Sequence, residues 1–190
     1  MVGPDQLHVK RVTLEFDSLP KAFDGYRIVQ LSDMHLGSMK QEFAQRMVAQ
    51  VNELHPNAIL FTGDLQNMRP QELVRHAPTL VHLHPVDGIF SVLGNHDYAD
   101  YVKTATAEQK RSMERMTRSS EASLNWDLLL NERRILRRGA DSIAIAGTEN
   151  DGRPPFPCKA DYRKALPGIS PESFVIMMQH DPSAWSRHIL

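Results

Sequence analysis

The stretch G-I-F-S-V-L-G-N-H-D, residues 88–97, decides the fold. Its first six residues read as a short buried strand, and the last four place an amide, an imidazole and a carboxylate directly behind a glycine. In α/β sheets, sites form at the carboxyl ends of strands, where side chains from separate segments converge. The same transition occurs at three other places. Leu31 runs into Ser32-Asp33-Met34-His35, Phe61 into Thr62-Gly63-Asp64, and Met178 into Gln179-His180-Asp181. Each cluster alone is weak: Gly-Asp is a common turn pair, and a lone histidine is more often structural. Four of them in order, each at a strand end, are not accounted for by surface turns.

Outward from these clusters the pattern alternates between strand and helix. Residues 9–16 (V-K-R-V-T-L-E-F) alternate and predict a strand with one wet face, and after Gly25 residues 26–31 predict a second. Phe43, Met47, Val51 and Leu54 form a helical stripe over 42–54 that stops at His55-Pro56. Residues 58–61 are a buried-type strand, and 72–83 a helix that Pro78 should kink or break. A helix is expected over 105–130, with Met113 and Met116 on its core side. Paired strands follow at 133–138 and 142–146 around Gly139-Ala140-Asp141, and a last strand at 174–178. Strands alternating with helices of this length predict an α/β layered domain.

Composition sets the bounds. The 190 residues, 41% hydrophobic and 24% charged, suffice for one domain with a real core. A net charge of −1 gives no long-range field, so nucleic acid is not indicated as an obligatory partner. The single cysteine, Cys158, excludes an internal disulfide framework. With no run of about 18 apolar residues and no signal-peptide core, the chain as it stands reads as soluble and cytoplasmic.

The clusters suit metal-assisted chemistry. Asp33 and His35, two apart on an extended segment, would point the same way and share a divalent ion. Asp64 offers a carboxylate able to bridge two ions, and Asn95 a hard amide oxygen. His96 suits a general acid or a cation facing phosphate, with Asp97 fixing its tautomer.

These motifs, L-S-D-M-H-L-G at 31–37, F-T-G-D at 61–64, L-G-N-H-D-Y at 93–98 and M-Q-H-D-P at 178–182, resemble the calcineurin-like metallophosphoesterase superfamily. Residues 19–37 are similar to its bacterial branch of small phosphodiesterases, many of which carry an N-terminal membrane anchor. The resemblance implies a four-layer α-β-β-α sandwich of two mixed sheets. It implies that Asp33 and His35 hold a first metal, that Asp64 bridges, that Asn95 and His180 hold a second, and that His96, backed by Asp97, contacts the phosphate. Two cations about 3.5–4 Å apart would then polarise a phosphate ester and turn a bound water into a hydroxide nucleophile. Asn67, where the purple acid phosphatases carry tyrosine, points to two divalent ions (Mn²⁺, Fe²⁺ or Zn²⁺) rather than an iron(III) pair. The family's G-H-x-H motif is absent, so the expectation is of one domain over 1–190 that is short of its C-terminal part.

Three functional classes remain at this point: a phosphodiesterase or monoesterase, a pyrophosphate hydrolase acting on a nucleotide-linked lipid precursor, and a non-catalytic scaffold. The intact ligands weigh against the last. A membrane association would come from an anchor outside the chain, and the oligomeric state is open. His82 and His84, the Arg133-Arg134 and Arg137-Arg138 run and Cys158 read as surface features. His8, His55, His76 and His188 have no evident partner.

Overall fold

The computed structural model describes residues 6–188. The first sheet holds β1 (Ile28–Leu31), β2 (Ala58–Phe61), β3 (Gly88–Ser91) and β4 (Trp126–Leu128), all parallel and in chain order. Helices α1 (Gln41–Glu53), α2 (Glu72–Leu80) and α3 (Ala107–Ser123) form the crossovers. Right-handed crossovers that never reverse direction put their helices on one face of a sheet. Burial follows that rule with a period of two. Ile59, Phe61, Ile89 and Trp126 share a core with Met47, Val48 and Val51 of α1 and Leu73 and Leu80 of α2. The alternate residues Ala58, Leu60 and Phe90, with Val92 beyond β3, form a second core with Leu129, Ile145 and Met178.

Ile145 and Met178 belong to the second sheet, in which β5 (Glu132–Arg138) pairs antiparallel with β6 (Asp141–Gly147), and β6 pairs parallel with β7 (Val175–Met178). The short α4 (Tyr162–Ala165) packs against β5, and α5 (Trp185–His188) follows β7. This is the expected α/β sandwich, with its first sheet wholly parallel and its second mixed. All four residues of β2 are buried because both faces of its sheet are covered. Among the described residues, no helix is long and apolar enough to cross a membrane.

Three local expectations are corrected. Residues 9–16 form no strand; Val12, Leu14 and Phe16 are 63%, 68% and 50% exposed, and the Phe16 ring meets that of Phe174, just before β7, at 5.3 Å. Alternation supplies a strand's period but not the neighbour that its backbone needs. The helix expected over 105–130 stops at Ser123, where Asn125 at φ 57° turns the chain so that residues 126–128 enter the sheet as β4. Met113 is buried, whereas Met116 is 43% exposed. Pro78 does not end α2 at its own position, since the helix runs on to Leu80; the hydrogen bond it forgoes would fall on Val74, on the exposed side of the helix.

Two arginines of the run make ion pairs within the fold. Arg134 makes a two-pronged contact with Asp127 (2.7 Å each), while Arg138 pairs with Asp87 at 3.2 Å over the Tyr26 ring.

Candidate functional site

Four loops, after β1, β2, β3 and β7, meet at one end of the sandwich. The strand order puts the first three side by side, and sheet packing brings the fourth across to them.

The loops after β1 and β2 continue to bond to each other beyond the strands: Asp33 N–H donates to Gly63 O (2.9 Å), His35 N–H to Asp64 O (3.1 Å) and Leu36 N–H to Leu65 O (3.0 Å). The backbone there is not extended as the D-x-H spacing had suggested. Asp33, His35 and Asp64 have φ of 52°, 43° and 60°. Left-handed residues other than glycine are uncommon and cluster at functional sites, where the surroundings over-determine them.

The loop after β2 is the frame of the site. Its amides are tied down by two carboxylates. Asp97, fully buried, accepts from the N–H groups of Asp64 (2.8 Å), Leu65 (3.0 Å) and Gln66 (3.3 Å), and also of Gly94 (2.9 Å). Glu72 accepts from Asn67 (2.6 Å), Met68 (3.1 Å) and Arg69 (3.0 Å). Six consecutive amides, 64–69, therefore end on carboxylates. Burial pushes the Asp97 carboxyl up to about 7; the Gly94 N–H opposes this, the charge of Asp64 adds to it, and the Gln66 and Asp64 N–H groups oppose it.

The loop's carbonyls face the other way and hold three imidazoles. His180 Nδ1 lies 2.8 Å from Thr62 O, His35 Nδ1 3.3 Å from Gln66 O, and His96 Nδ1 2.6 Å from Asn67 O. An Nδ1–H held by a carbonyl leaves Nε2 with its lone pair, the form in which histidine binds metals. His35 Nε2 lies 3.7 Å from one oxygen of Asp64, and His180 Nε2 lies 3.6 Å from the other.

Two overlapping groups result. Ligand atoms of His35, Asp64 and His96 lie within 4.8 Å of one another, as do those of Asp33, Asp64 and His180. Asp64 is common to both. Asp33 is also 4.0 Å from His35 Nε2, and the Asn95 amide oxygen is 3.1 Å from His180 Nε2. The fold thus gathers Asp33, His35, Asp64, Asn95, His96 and His180 in one place. Their donors, carboxylate, imidazole and amide oxygen, suit divalent ions of the Mn²⁺, Fe²⁺ and Zn²⁺ kind. Both nitrogens of His180 face oxygen acceptors, yet a neutral ring carries only one N–H. A cation on the Nε2 side satisfies that arrangement.

A family model described as calcineurin-like phosphoesterase matches residues 26–188, which carry all four loops. The chain belongs to that family. Similar proteins include a transmembrane protein with metallophosphoesterase domain from Danio rerio, 32% identical over 91% of this chain and 39% of its own length. An uncharacterized metallophosphoesterase from Aquifex aeolicus is 28% identical over 93% of this chain and 62% of its own. A UDP-2,3-diacylglucosamine pyrophosphatase from Chlamydia trachomatis is 39% identical over 52% of this chain and 31% of its own. The chain spans less than two thirds of the length of each of these relatives.

In this calcineurin-like phosphoesterase one expected contact is not made. Asp97 does not orient the His96 imidazole, since both its oxygens are taken by backbone N–H groups and Asn67 O holds Nδ1. The reason is burial: a carboxylate enclosed beside two loops meets their amides first. Sequence reading also passed over Gln66 and Tyr101. Gln66, fully buried, donates to His96 O (3.2 Å) and accepts from the Thr117 hydroxyl (2.9 Å). The Tyr101 ring stacks on His96 at 4.1 Å. Neither position carries a motif; the only signal for Tyr101 was its place just after Asn95-His96-Asp97.

His82 and His84 lie apart from this site, their rings 6.2 Å from each other. Cys158 is exposed and donates to Asp151 at 3.3 Å.

Proposed function

We propose that the chain hydrolyses phosphate esters at a site for two divalent cations, with Asp33, His35, Asp64, Asn95 and His180 as their ligands. The observation that carries this reading is Asp64, whose two oxygens face the Nε2 atoms of His35 and His180 separately, while loop carbonyls hold the Nδ1 atoms of His35, His96 and His180. Bound there, two divalent cations would supply Lewis-acid polarisation of the phosphoryl group and activation of water.

The chain's own residues would do the rest. Asp64 gives one oxygen to each side and stays placed because its Oδ1 also accepts from His96 N–H at 2.9 Å. His96, its Nδ1 fixed on Asn67 O, would present Nε2 to the phosphate; as an imidazolium it would neutralise charge on the ester oxygens or protonate the departing alkoxide. Asp97 and Glu72 would act through the backbone, keeping the carbonyls of 62–67 aimed at the three rings. That two carboxylates are committed to this framing favours a catalytic site over a scaffold.

A second reading is a pyrophosphatase acting on a nucleotide-linked lipid precursor. It is favoured by the Chlamydia trachomatis pyrophosphatase, 39% identical over 52% of this chain, and needs the same site. The Danio rerio relative's name supports a membrane association of the whole protein.

The test is hydrolysis of bis-p-nitrophenyl phosphate with added Mn²⁺. Turnover is expected to be abolished by EDTA, restored by Mn²⁺, and reduced about 10²-fold or more in His96→Ala. Turnover that survives EDTA treatment, or that His96→Ala leaves unchanged, would overturn the proposal.

A further inference from the structure

We infer that Tyr101 is a positioning residue for the site, fixing the Asn95 amide through its hydroxyl and the His96 imidazole through its ring; this rests on the two-cation reading for its first arm only. Beyond the 3-10 helix Asn95–Tyr98, Ala99 adopts a left-handed φ of 58° and folds the chain back over that helix. The return is anchored by Ala99, Val102 and Met113, which form a small core with Ala105. Tyr101 lies between two of these anchors, so its ring has a fixed base.

From there Tyr101 reaches two residues at once. Its ring lies nearly parallel to His96, with centroids 4.1 Å apart and 11° between planes. His96 is then fixed on three sides: Nδ1 on Asn67 O, one face under Tyr101, and an edge-on contact with His35 at 4.8 Å. The Tyr101 hydroxyl accepts from Asn95 Nδ2 at 2.8 Å. An asparagine amide has nearly the same shape when turned end for end, so only its hydrogen bonds decide which atom faces a given side. With Nδ2 on Tyr101, the amide oxygen faces His180, where a cation needs it. Without that partner the amide loses the hydrogen bond that holds it in place, and turned end for end it would present an NH₂ group to a cation.

The two contacts separate by mutation. Tyr101→Phe keeps the stack and deletes the acceptor; Tyr101→Leu deletes both. The intact chain and both variants are titrated with Mn²⁺ by calorimetry. The His96 ring resonances are read by NMR without metal, and steady-state hydrolysis of bis-p-nitrophenyl phosphate is measured at saturating Mn²⁺. Tyr101→Phe is expected to weaken Mn²⁺ binding about tenfold or more, as losing a partner that orients a ligand does, with the His96 resonances unmoved. Tyr101→Leu is expected in addition to remove the ring-current shift from His96 and to lower kcat with KM little changed. Wild-type Mn²⁺ affinity in Tyr101→Phe overturns the first arm; unmoved His96 resonances in Tyr101→Leu overturn the second. Variants that lose only melting temperature, with affinity and resonances intact, reduce Tyr101 to packing and overturn both. An unmutated chain that binds no Mn²⁺ overturns the two-cation reading and the first arm with it, while the metal-free resonances still decide the second.

Discussion

Adding one methyl group at Gly94 separates two opposed effects of glycine substitution. The backbone there has φ −92° and ψ 179°, which alanine adopts freely. On conformational grounds Gly94→Ala should therefore stabilise the fold by about 0.4–1 kcal/mol, because the unfolded chain loses freedom. Contact works against it. A Cβ at Gly94 would lie 2.2 Å from Asp64 Oδ1, 2.5 Å from Asp64 N and 2.8 Å from Asp64 Cγ. The carboxylate cannot simply swing aside, since its Oδ1 accepts from His96 N–H at 2.9 Å, and Asp64 N is held by Asp97 at 2.8 Å. Gly63 presses from the other loop, where a Cβ would meet Gly94 N at 2.5 Å. Forcing a methyl into so close an approach costs about 1–3 kcal/mol, more than the entropy term returns. Net destabilisation of about 1–2 kcal/mol corresponds to about 2–8 °C of melting temperature for a chain this long. Asp64 is the residue displaced, so Mn²⁺ affinity should fall about tenfold or more. The assay is thermal unfolding by circular dichroism together with calorimetric Mn²⁺ titration. Gly139→Ala serves as the control: it has φ 60° but nothing within 4 Å of the added Cβ, so it should lose stability without losing metal affinity. A Gly94→Ala chain that melts at or above the wild-type temperature with unchanged Mn²⁺ affinity would refute the close-approach argument.

Asp97→Ala strands four backbone N–H groups, which at about 1–3 kcal/mol each amounts to at least about 4 kcal/mol. Urea denaturation should show a large drop in midpoint, and full stability with only activity lost would restore Asp97 to a role at His96. Glu121, fully buried and accepting from the Ser91 hydroxyl at 2.5 Å, has its carboxyl pushed up to about 8 by burial and then by the charge of Asp97, while the Ser91 hydrogen bond and the Arg118 charge oppose the rise. Its folded value lies above its unfolded value of 4.5, so the unfolded state binds fewer protons between them and stability falls as pH rises from about 4.5 to about 8. Glu121→Gln should flatten the melting-temperature profile over that window, and a mutant profile that falls as steeply as the wild type's would count against this assignment.

What the sequence made legible at the site, and what it did not, divides along a physical line. Asp33, His35, Asp64, Asn95, His96 and His180 could be read because strand ends in an α/β sheet converge and these side chains are unusual there. The parallel sheet was legible for a related reason: Ala58, Ile59, Leu60 and Phe61 are apolar without alternation because both faces are covered. Residues 9–16 failed because an alternating pattern describes a surface and not a partner. The frame of the site was out of reach for a different reason. Thr62, Gln66 and Asn67 orient the three histidines through backbone carbonyls, which every residue possesses, so residue type carries no trace of the job. Asp97 shows the cost of that gap, since as a side chain next to His96 it reads as the imidazole's partner. In the fold its carboxylate reaches the imidazole's neighbourhood only by way of the loop, through Asp64, Leu65 and Gln66 N–H groups, while Asn67 closes the chain of contacts at His96 Nδ1. The ligand side chains are thus specified by their own chemistry, and the orientation of the three imidazoles by acidic residues that bond the loop backbone and not the rings. Asp97→Asn should therefore shift the ring resonances of all three histidines together in NMR spectra, whereas His180→Ala should leave those of His35 and His96 in place.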